Sequence, residues 1–483
     1  MASQSYFHGV TLSESSEDAA LQRVADWGVT FYNGTAPDAD EAQFPLNTPT
    51  VVTSLTNAAG LGTAGSLLDD LTTHFGEGGT TVVVNRVDEG ASATETAANL
   101  LGNAVARTGI YSALRTKALT GLAPRVVVTA GDTGSWIDDG VVSISVTNGG
   151  AGYSVPPTVA IARAAGDTTG IGATAEATVE NGAVTAVTVT NAGEGYSLAP
   201  VVTITRAAGD TTGAGTVAVA NIGDVANSFI SALNTVCPKI RARAYIHGPN
   251  TTNVEAVRFR NTINSDRILI IDPKSLKNVN DVPMVRPMAP VFAGVRARVV
   301  ASDEGVSGSV SNKLIRTIDG VARTIAYPDD SNYLNGNQIA TVINERGGLR
   351  TWGSRLATDK SLWAFDSVRA TADMVNEGLE DIYFNWVDKK FTAGNLKMML
   401  EDGNALLRDY KLNNDILGGR VWLAAQNTPT LNAAGNVYLG VEFEPVGLME
   451  QIRLTTHRNI LYYTLLLDSV AGAIENGPLT LAA

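Results

Sequence analysis

Four histidines, His8, His74, His247 and His457, stand in unrelated sequence contexts. None has HxxxH or HExxH spacing, so a metal centre or a histidine base would require distant segments to converge. The one cysteine, Cys237, has no partner for an intrachain disulfide or a thiolate zinc set, and its place after an apolar helical run reads as burial. GEGGTT at Gly76 superficially suggests a phosphate loop, but it precedes a strand pattern and lacks a GK[ST] ending, so it reads as a turn. Asp167 and Asp210 sit in two AAGDTTG turns; each offers one carboxylate where calcium wants several oxygens, which favours Asx-type turns. No GxSxG elbow is present, and the acid pairs Asp329/Asp330 and Glu401/Asp402 fit a loop and a helix surface. Lys389 and Lys390 lie at a helix junction, where they are solvated or, in a polymer, face an acidic partner. These residues predict no catalytic site, no metal and no cofactor.

The 483 residues suffice for about three or four domains. With 44% hydrophobic and 17% charged residues and a mean hydropathy of +0.06, the chain is folded material with many surfaces to cover. Its net charge of −13 is spread along the chain, without the basic footprint that nucleic acid requires. No run approaches the ~20 apolar residues of a membrane span. Met1 is followed by ASQSYFHG, not by a basic segment and an apolar core, so no secretory leader is expected and the product stays in the cytoplasm until release.

Strand and helix patterns alternate from Trp27. Strands are expected over Trp27 to Ala36, in the second half of Phe44 to Ser54, within Gly76 to Val87 and over Leu122 to Thr129; helices are expected over Leu68 to Phe75 and Ala91 to Val105. The alternation resumes with a helix at Val225 to Val236, the strand RARAYIHGP, a helix at Val254 to Asn261 and the strand DRILIIDP, which argues for an α/β layer. Between the two halves the composition shifts to Val, Thr, Ala and Gly and carries an internal repeat. Tyr153 and Tyr196, Arg163 and Arg206, and Asp167 and Asp210 are all 43 residues apart, predicting two β units inserted in a surface loop.

Trp363 to Trp386 carries Val368, Ala372, Val375, Leu379, Ile382 and Trp386 at helical spacing. A second helix, about Thr392 to Lys411, sets Leu396, Met399, Leu400, Leu407 and Tyr410 inward and leaves Lys397, Glu401, Asn404, Arg408 and Lys411 on one outer stripe. Strand patterns follow at Arg420 to Ala424, Asn436 to Phe443 and Gln451 to Thr456, and ILYYTLLL at Ile460 leads into an irregular tail. The predicted fold class is α/β and α+β multidomain, with an inserted all-β repeat domain and extended terminal arms. The expected divisions are an arm over residues 1–25, an α/β part over 26–130 plus 225–330, the insertion over 131–224, an α+β domain over 331–470 and a second arm over 471–483.

Two ordered blocks carry a resemblance. FAGVRARVVASDEGVSGSVSN runs from Phe292 to Asn312. YLNGNQIATVINERGGLRTWGSRLATDKSLWAFDSVRATADMV runs from Tyr333 to Val375, with Asn335, Asn337, Gly347, Gly348, Arg350, Trp352, Gly353, Arg355, Trp363 and Arg369 at the matching positions. Both are similar to the phage tail sheath family, as are FHGV at Phe7, GTAPDAD at Gly34, FPLNTP at Phe44 and GGTTVVVNRV at Gly78. Leu356 stands for the usual threonine and Ala370 for the second arginine. The resemblance covers residues 1–130 and 225–483; the β repeats fall outside it and look like decorations of phage virion proteins.

The resemblance implies a tail-sheath core that assembles with itself as a helical homo-oligomer of stacked rings, around a tail tube, between baseplate and tail-terminator proteins. It implies a virion tail component, assembled in the host cytoplasm, that contracts to drive the tube through the host envelope. Its arms, through Tyr6, Phe7, Val10, Leu12, Leu479 and Leu481, would complete sheets in neighbouring copies. The tube would be gripped from the helix bearing Lys397, Arg408 and Lys411. A secretion or bacteriocin particle uses the same design; an α/β nucleotide-binding enzyme is the reading from another class.

Overall fold

A computed structural model of the chain describes residues 27–279 and 281–476, with side chains to residue 472. The expected arm positions Tyr6, Phe7, Val10, Leu12, Leu479 and Leu481 lie outside the described residues.

The amino-terminal part contains β1 (Thr30–Thr35), β2 (Thr50–Val52), α1 (Leu67–Gly76), β3 (Val82–Val87), α2 (Ala93–Leu101), α3 (Thr116–Thr120) and β4 (Val126–Thr129). An all-β stretch follows, with β5 (Trp136–Ala151), β6 (Thr158–Ala162), β7 (Thr174–Glu180), β8 (Ala183–Asn191), β9 (Val201–Thr205) and β10 (Ala214–Ala226). The chain then returns through α4 (Ser228–Ile240), β11 (Arg243–His247), α5 (Asn253–Asn261) and β12 (Ile268–Ile271). A hairpin of β13 (Ser275–Val279) and β14 (Val282–Arg286) precedes α6 (Ala289–Val300), β15 (Gly320–Val321), α7 (Asp329–Gly336), β16 (Ile339–Asn344) and β17 (Leu349–Trp352).

One eight-stranded sheet organises these elements, in the order β17-β16-β12-β11-β4-β1-β3-β2. Its six inner strands are parallel, and β2 and β17 close the edges antiparallel. Runs such as VVVNRV and ILII are buried at every position because helices cover both faces. Alternate side chains divide between two cores: Tyr32, Val82 and Val84 pack with α1 and α6, while Phe31 and Val83 pack with α4 and α5. Ser92 and Thr252 cap α2 and α5, accepting from the Glu95 and Glu255 amides at 3.2 and 3.1 Å. The helix expected to reach Val105 stops at Leu101, since Gly102 turns to φ +73°.

The division expected at residues 330 and 331 falls inside this layer. Ile339 and Ala340 of β16 pair with Ile270 and Ile271 of β12, so the sheet runs on to Trp352. The parallel edge of β12 is paired by β16, a strand of the second family-like block.

The two 43-residue units interlock. β10, β5, β8 and β7 form one sheet, and β6 pairs with β9 across the units. Thr169 donates to the Gly195 carbonyl and Thr212 to the Gly152 carbonyl, both at 2.6 Å. Each tyrosine is buried against the other unit's AAGDTTG turn: Tyr196 accepts from the Ala173 amide and Tyr153 from the Thr216 hydroxyl. At the base, Arg258 of α5 grips Asp224 at 2.6 and 2.7 Å and Asp138 at 2.9 Å, over the Trp136 ring.

A smaller layer follows: α8 (Asp366–Phe384), α9 (Ala393–Leu412), β18 (Ile416–Leu423), α10 (Pro429–Ala433) and β19 (Leu439–Pro445). Val375, Leu379, Leu407, Ile416 and Val421 are its core. Residues 447–476 form a separate unit containing α11 (Tyr462–Asn476). Here two expectations are corrected. Gln451 to Thr456 forms no strand, because its alternating pattern has no edge to pair with in this unit. The segment expected to become irregular after ILYYTLLL is helical to Asn476, because it continues without Gly-Pro punctuation until Gly477.

Candidate functional site

Helix α8 joins the two layers through buried charge. Asp366, Asp373, Glu377 and Glu380 recur at spacings that keep them on one side of the helix. Each meets a base at the amino end of the parallel strands. Asp366 accepts from Arg243 Nε at 2.7 Å and from the Tyr245 hydroxyl at 3.0 Å, with Arg296 at 3.8 Å. Asp373 takes both ends of the Arg267 guanidinium, at 2.6 and 2.8 Å, and Arg369 at 3.0 Å. Glu377 pairs with Arg125 at 2.6 Å, and Glu380 with Arg241. Arg125, Arg243 and Arg267 stand at the starts of β4, β11 and β12, so the rungs tie α8 to three neighbouring strands of the sheet. Asp366, Asp373, Arg243 and Arg296 are almost wholly buried; breaking one member of such a pair strands a charge in low dielectric. The ladder therefore fixes the direction in which α8 points its far end.

Beyond α8 the hairpin partner α9 supports β18. Asn404 donates to the Val421 carbonyl at 3.1 Å and accepts from its amide at 2.9 Å, so a side chain stands where another strand would pair. Asn404 is thus turned to the sheet and not to the outer stripe on which the sequence placed it. Val421 faces Val441 across the ladder, and antiparallel alternation turns the backbone groups of Val441 outward as well. Among the described residues no strand lies on that side of β19. An apolar groove of about 650 Å³ lies there, lined by Leu379, Tyr383, Phe384, Val387, Leu439 and Val441.

Lys397, Arg408 and Lys411 are all exposed on α9; Arg408 is engaged by Glu401, while Lys397 and Lys411 have no acidic partner among the described residues. The motif residues fall into separate contacts. Gly353, at φ +100°, lies against Asn335 with no room for a side chain. Asn337 bonds the Tyr333 carbonyl at 2.8 Å, and Arg350 reaches Asn312 at 3.4 Å. Trp352 packs edge-on against Tyr327, and Arg355 lies 4.6 Å above the Phe365 ring. Trp363 and Arg369 come together, stacked at 4.4 Å, at the second rung of the ladder. Sequence reasoning overlooked that ladder; its signal was a row of acids on the otherwise apolar face of α8.

The residues that could carry chemistry are structurally engaged. Thr133, His247 and Asp132 form a row, with Thr133 Oγ1 at 3.1 Å from His247 Nδ1 and Asp132 at 3.5 Å from Nε2. Yet the buried Thr133 hydroxyl already bridges the His247 amide and carbonyl. Burial lowers the His247 pKa, and the His247 hydrogen bond lowers that of Asp132. Burial also pushes the Cys237 thiol up to about 12. Asp167 accepts from the Thr169 and Gly170 amides at 3.0 and 3.1 Å, which holds its pKa to about 2. No cluster of three metal-ligating side chains occurs among the described residues.

An eight-stranded α/β layer, a smaller α+β layer and an inserted β pair define a multidomain scaffold. No family model matches the chain. It is 22% identical to the tail sheath protein of Escherichia phage P2, over 96% of this chain and 98% of that protein. It is 30% identical to a putative prophage major tail sheath protein of Pseudomonas aeruginosa (strain UCBPP-PA14), over 45% of this chain and 58% of that one. The sheath complex of an extracellular contractile injection system, PVC, in its contracted state has the same fold, with a TM-score of 0.57 at 13% identity over 95% of this chain and 100% of that chain. The anti-feeding prophage helical sheath, also contracted, gives 0.55 at 12% over 94% and 100%. The fold is that of sheath subunits of contractile particles. In sequence the chain is similar to phage tail sheath proteins along nearly its whole length.

Proposed function

We propose that this chain polymerises as the sheath of a contractile phage tail and that its work is structural. The observation carrying this is the match to the phage P2 sheath protein over nearly the whole of both chains, together with the shared fold. Sheath subunits stack through heterologous contacts that never close on themselves. Contraction is then a rigid-body exchange between a metastable and a more stable packing, driven by stored interface energy, for which the ion ladder provides a stiff subunit.

The outward edge of β19 is suited to accept a strand from a neighbouring copy. The arms through Tyr6, Phe7, Val10 and Leu12 and through Leu479 and Leu481 are the donors. Gln451 to Thr456, with Ile452 and Leu454 exposed, supports this reading as a strand pattern awaiting a partner. The exposed Lys397 and Lys411, with Arg408, serve to grip the tail tube; exposed pairs are individually weak, which suits a contact that must release. Baseplate and terminator proteins bound the polymer, in the virion tail after assembly in the host cytoplasm.

The β insertion over residues 131–224 serves as a decoration. Its aromatics are committed: Tyr153 and Tyr196 to the interlock, and Trp136 to Phe259 and Arg258, so sugar stacking has no ring to use. Electron microscopy of the purified chain tests the whole reading. Hollow cylinders are expected, including after deletion of Gly131 to Gly223. A chain that stays monomeric at all concentrations would refute it.

A further inference from the structure

The turn between α8 and α9 is a built surface with nothing on it. Phe384 and Val387 are 78% and 62% exposed, Phe391 is also exposed, and Lys389 and Lys390, which outnumber the single exposed Asp388 of the turn, form no ion pair among the described residues. The turn is nevertheless held in shape. Trp386 Nε1 donates to Asp402 at 2.8 Å, Asn395 donates to the Lys390 carbonyl at 2.7 Å, and Thr392 caps α9 through the Asn395 amide. A pre-shaped apolar and basic tip loses little entropy on binding.

Strand direction decides where this tip can bind. The ladder seats α8 across the amino ends of β4, β11 and β12, and the tip follows one turn after Glu380. A rim of the opposite charge lies at the other end of the same parallel sheet. Asp38, Asp40 and Glu41 follow the carboxyl end of β1, Asp88 and Glu89 follow that of β3, and all are exposed beside Leu46, itself 40% exposed. The nearby Arg86 and Arg115 turn inward to the carbonyls of Ala36 and Asn47, and of the rim acids Glu41 alone has a basic contact, to Arg86 at 3.6 Å, among the described residues. Six parallel residues separate the two ends by about 20 Å, so one chain cannot join its own tip to its own rim.

We propose that the α8–α9 tip binds the acidic rim beyond β1 and β3 on a second copy of this chain, an end-to-end contact that propagates the polymer. The contact rests on the sheath reading and adds to it a charged joint independent of strand exchange. Opposite charges around an apolar centre give register and fast association. Because tip and rim are different surfaces, the contact is heterologous and leaves a free tip and a free rim at the polymer ends.

The test is charge exchange. K389E/K390E and D88K/E89K are each expected to raise the critical concentration for tube-free polymerisation about tenfold, read by sedimentation and microscopy. The four substitutions together should restore it to near the parent value, with thermal midpoints unchanged throughout. The proposal is overturned if either pair leaves polymerisation unchanged, if the combined chain fails to recover, or if only tube-templated assembly suffers, which would assign the tip to the tube. A parent chain that forms no polymer overturns the sheath reading itself, and the contact with it.

Discussion

Replacing Asp373 by asparagine tests the ladder at the rung where one buried carboxylate holds two arginines. The carboxylate is 1% exposed and receives three charge-assisted bonds, two from Arg267 and one from Arg369. The amide keeps the shape but sets an NH2 group against a guanidinium and leaves buried positive charge without its counter-ion. Losing one partner of such a pair costs about 3–5 kcal/mol. The exposed Glu401–Arg408 pair on the neighbouring helix is the internal standard, because exposed ion pairs are worth about 0–1 kcal/mol. Urea unfolding of soluble chain at pH 7, followed by tryptophan fluorescence, should give Asp373→Asn a loss several times that of Glu401→Gln. Trp363, stacked under Arg369, should change its emission before global unfolding. Equal losses in the two variants, both under about 1 kcal/mol, would show that α8 is held by its apolar face alone and would refute the ladder as the positioning element.

Further outcomes follow from single sites. Asp70 is buried, and burial, then the neighbouring Asp69, raises its pKa from 3.8 to about 8 against the opposing pull of Arg286 and Lys277. The unfolded chain ionises this group near 4 and the folded chain only near 8, so stability falls as pH rises through that window. Asp70→Asn should match the parent near pH 4 and exceed it at pH 8 by a few kcal/mol, on the order set by the linkage relation; parallel stability curves would contradict this. Gly170→Ala drives a methyl into the Tyr196 ring and should cost about 1–3 kcal/mol, read as faster amide exchange over Trp136–Ala226 while the eight-stranded sheet keeps its protection. Asn404→Ala uncaps the outer edge of β18 and should give irregular aggregates in sedimentation at concentrations where the parent gives regular cylinders.

The sequence by itself determined the local elements and the repeat. VVVNRV and ILII read as strands because their runs of β-branched and apolar residues suit a sheet buried between helix layers, and the 43-residue spacing announced two β units. The ordered motifs from Phe292 to Val375 pointed to the family. Tertiary structure decided which end of each strand meets which charge. Asp373 and Glu377 look like surface acids of an amphipathic helix, and Arg125 and Arg267 look like polar residues before strands; only superposing α8 on the parallel order of β4, β11 and β12 pairs them. The same holds for Gln451 to Thr456, whose alternation specifies a β preference but not a partner. A strand needs an edge to bond, and whether one is in reach depends on the arrangement of the whole fold, not on the segment.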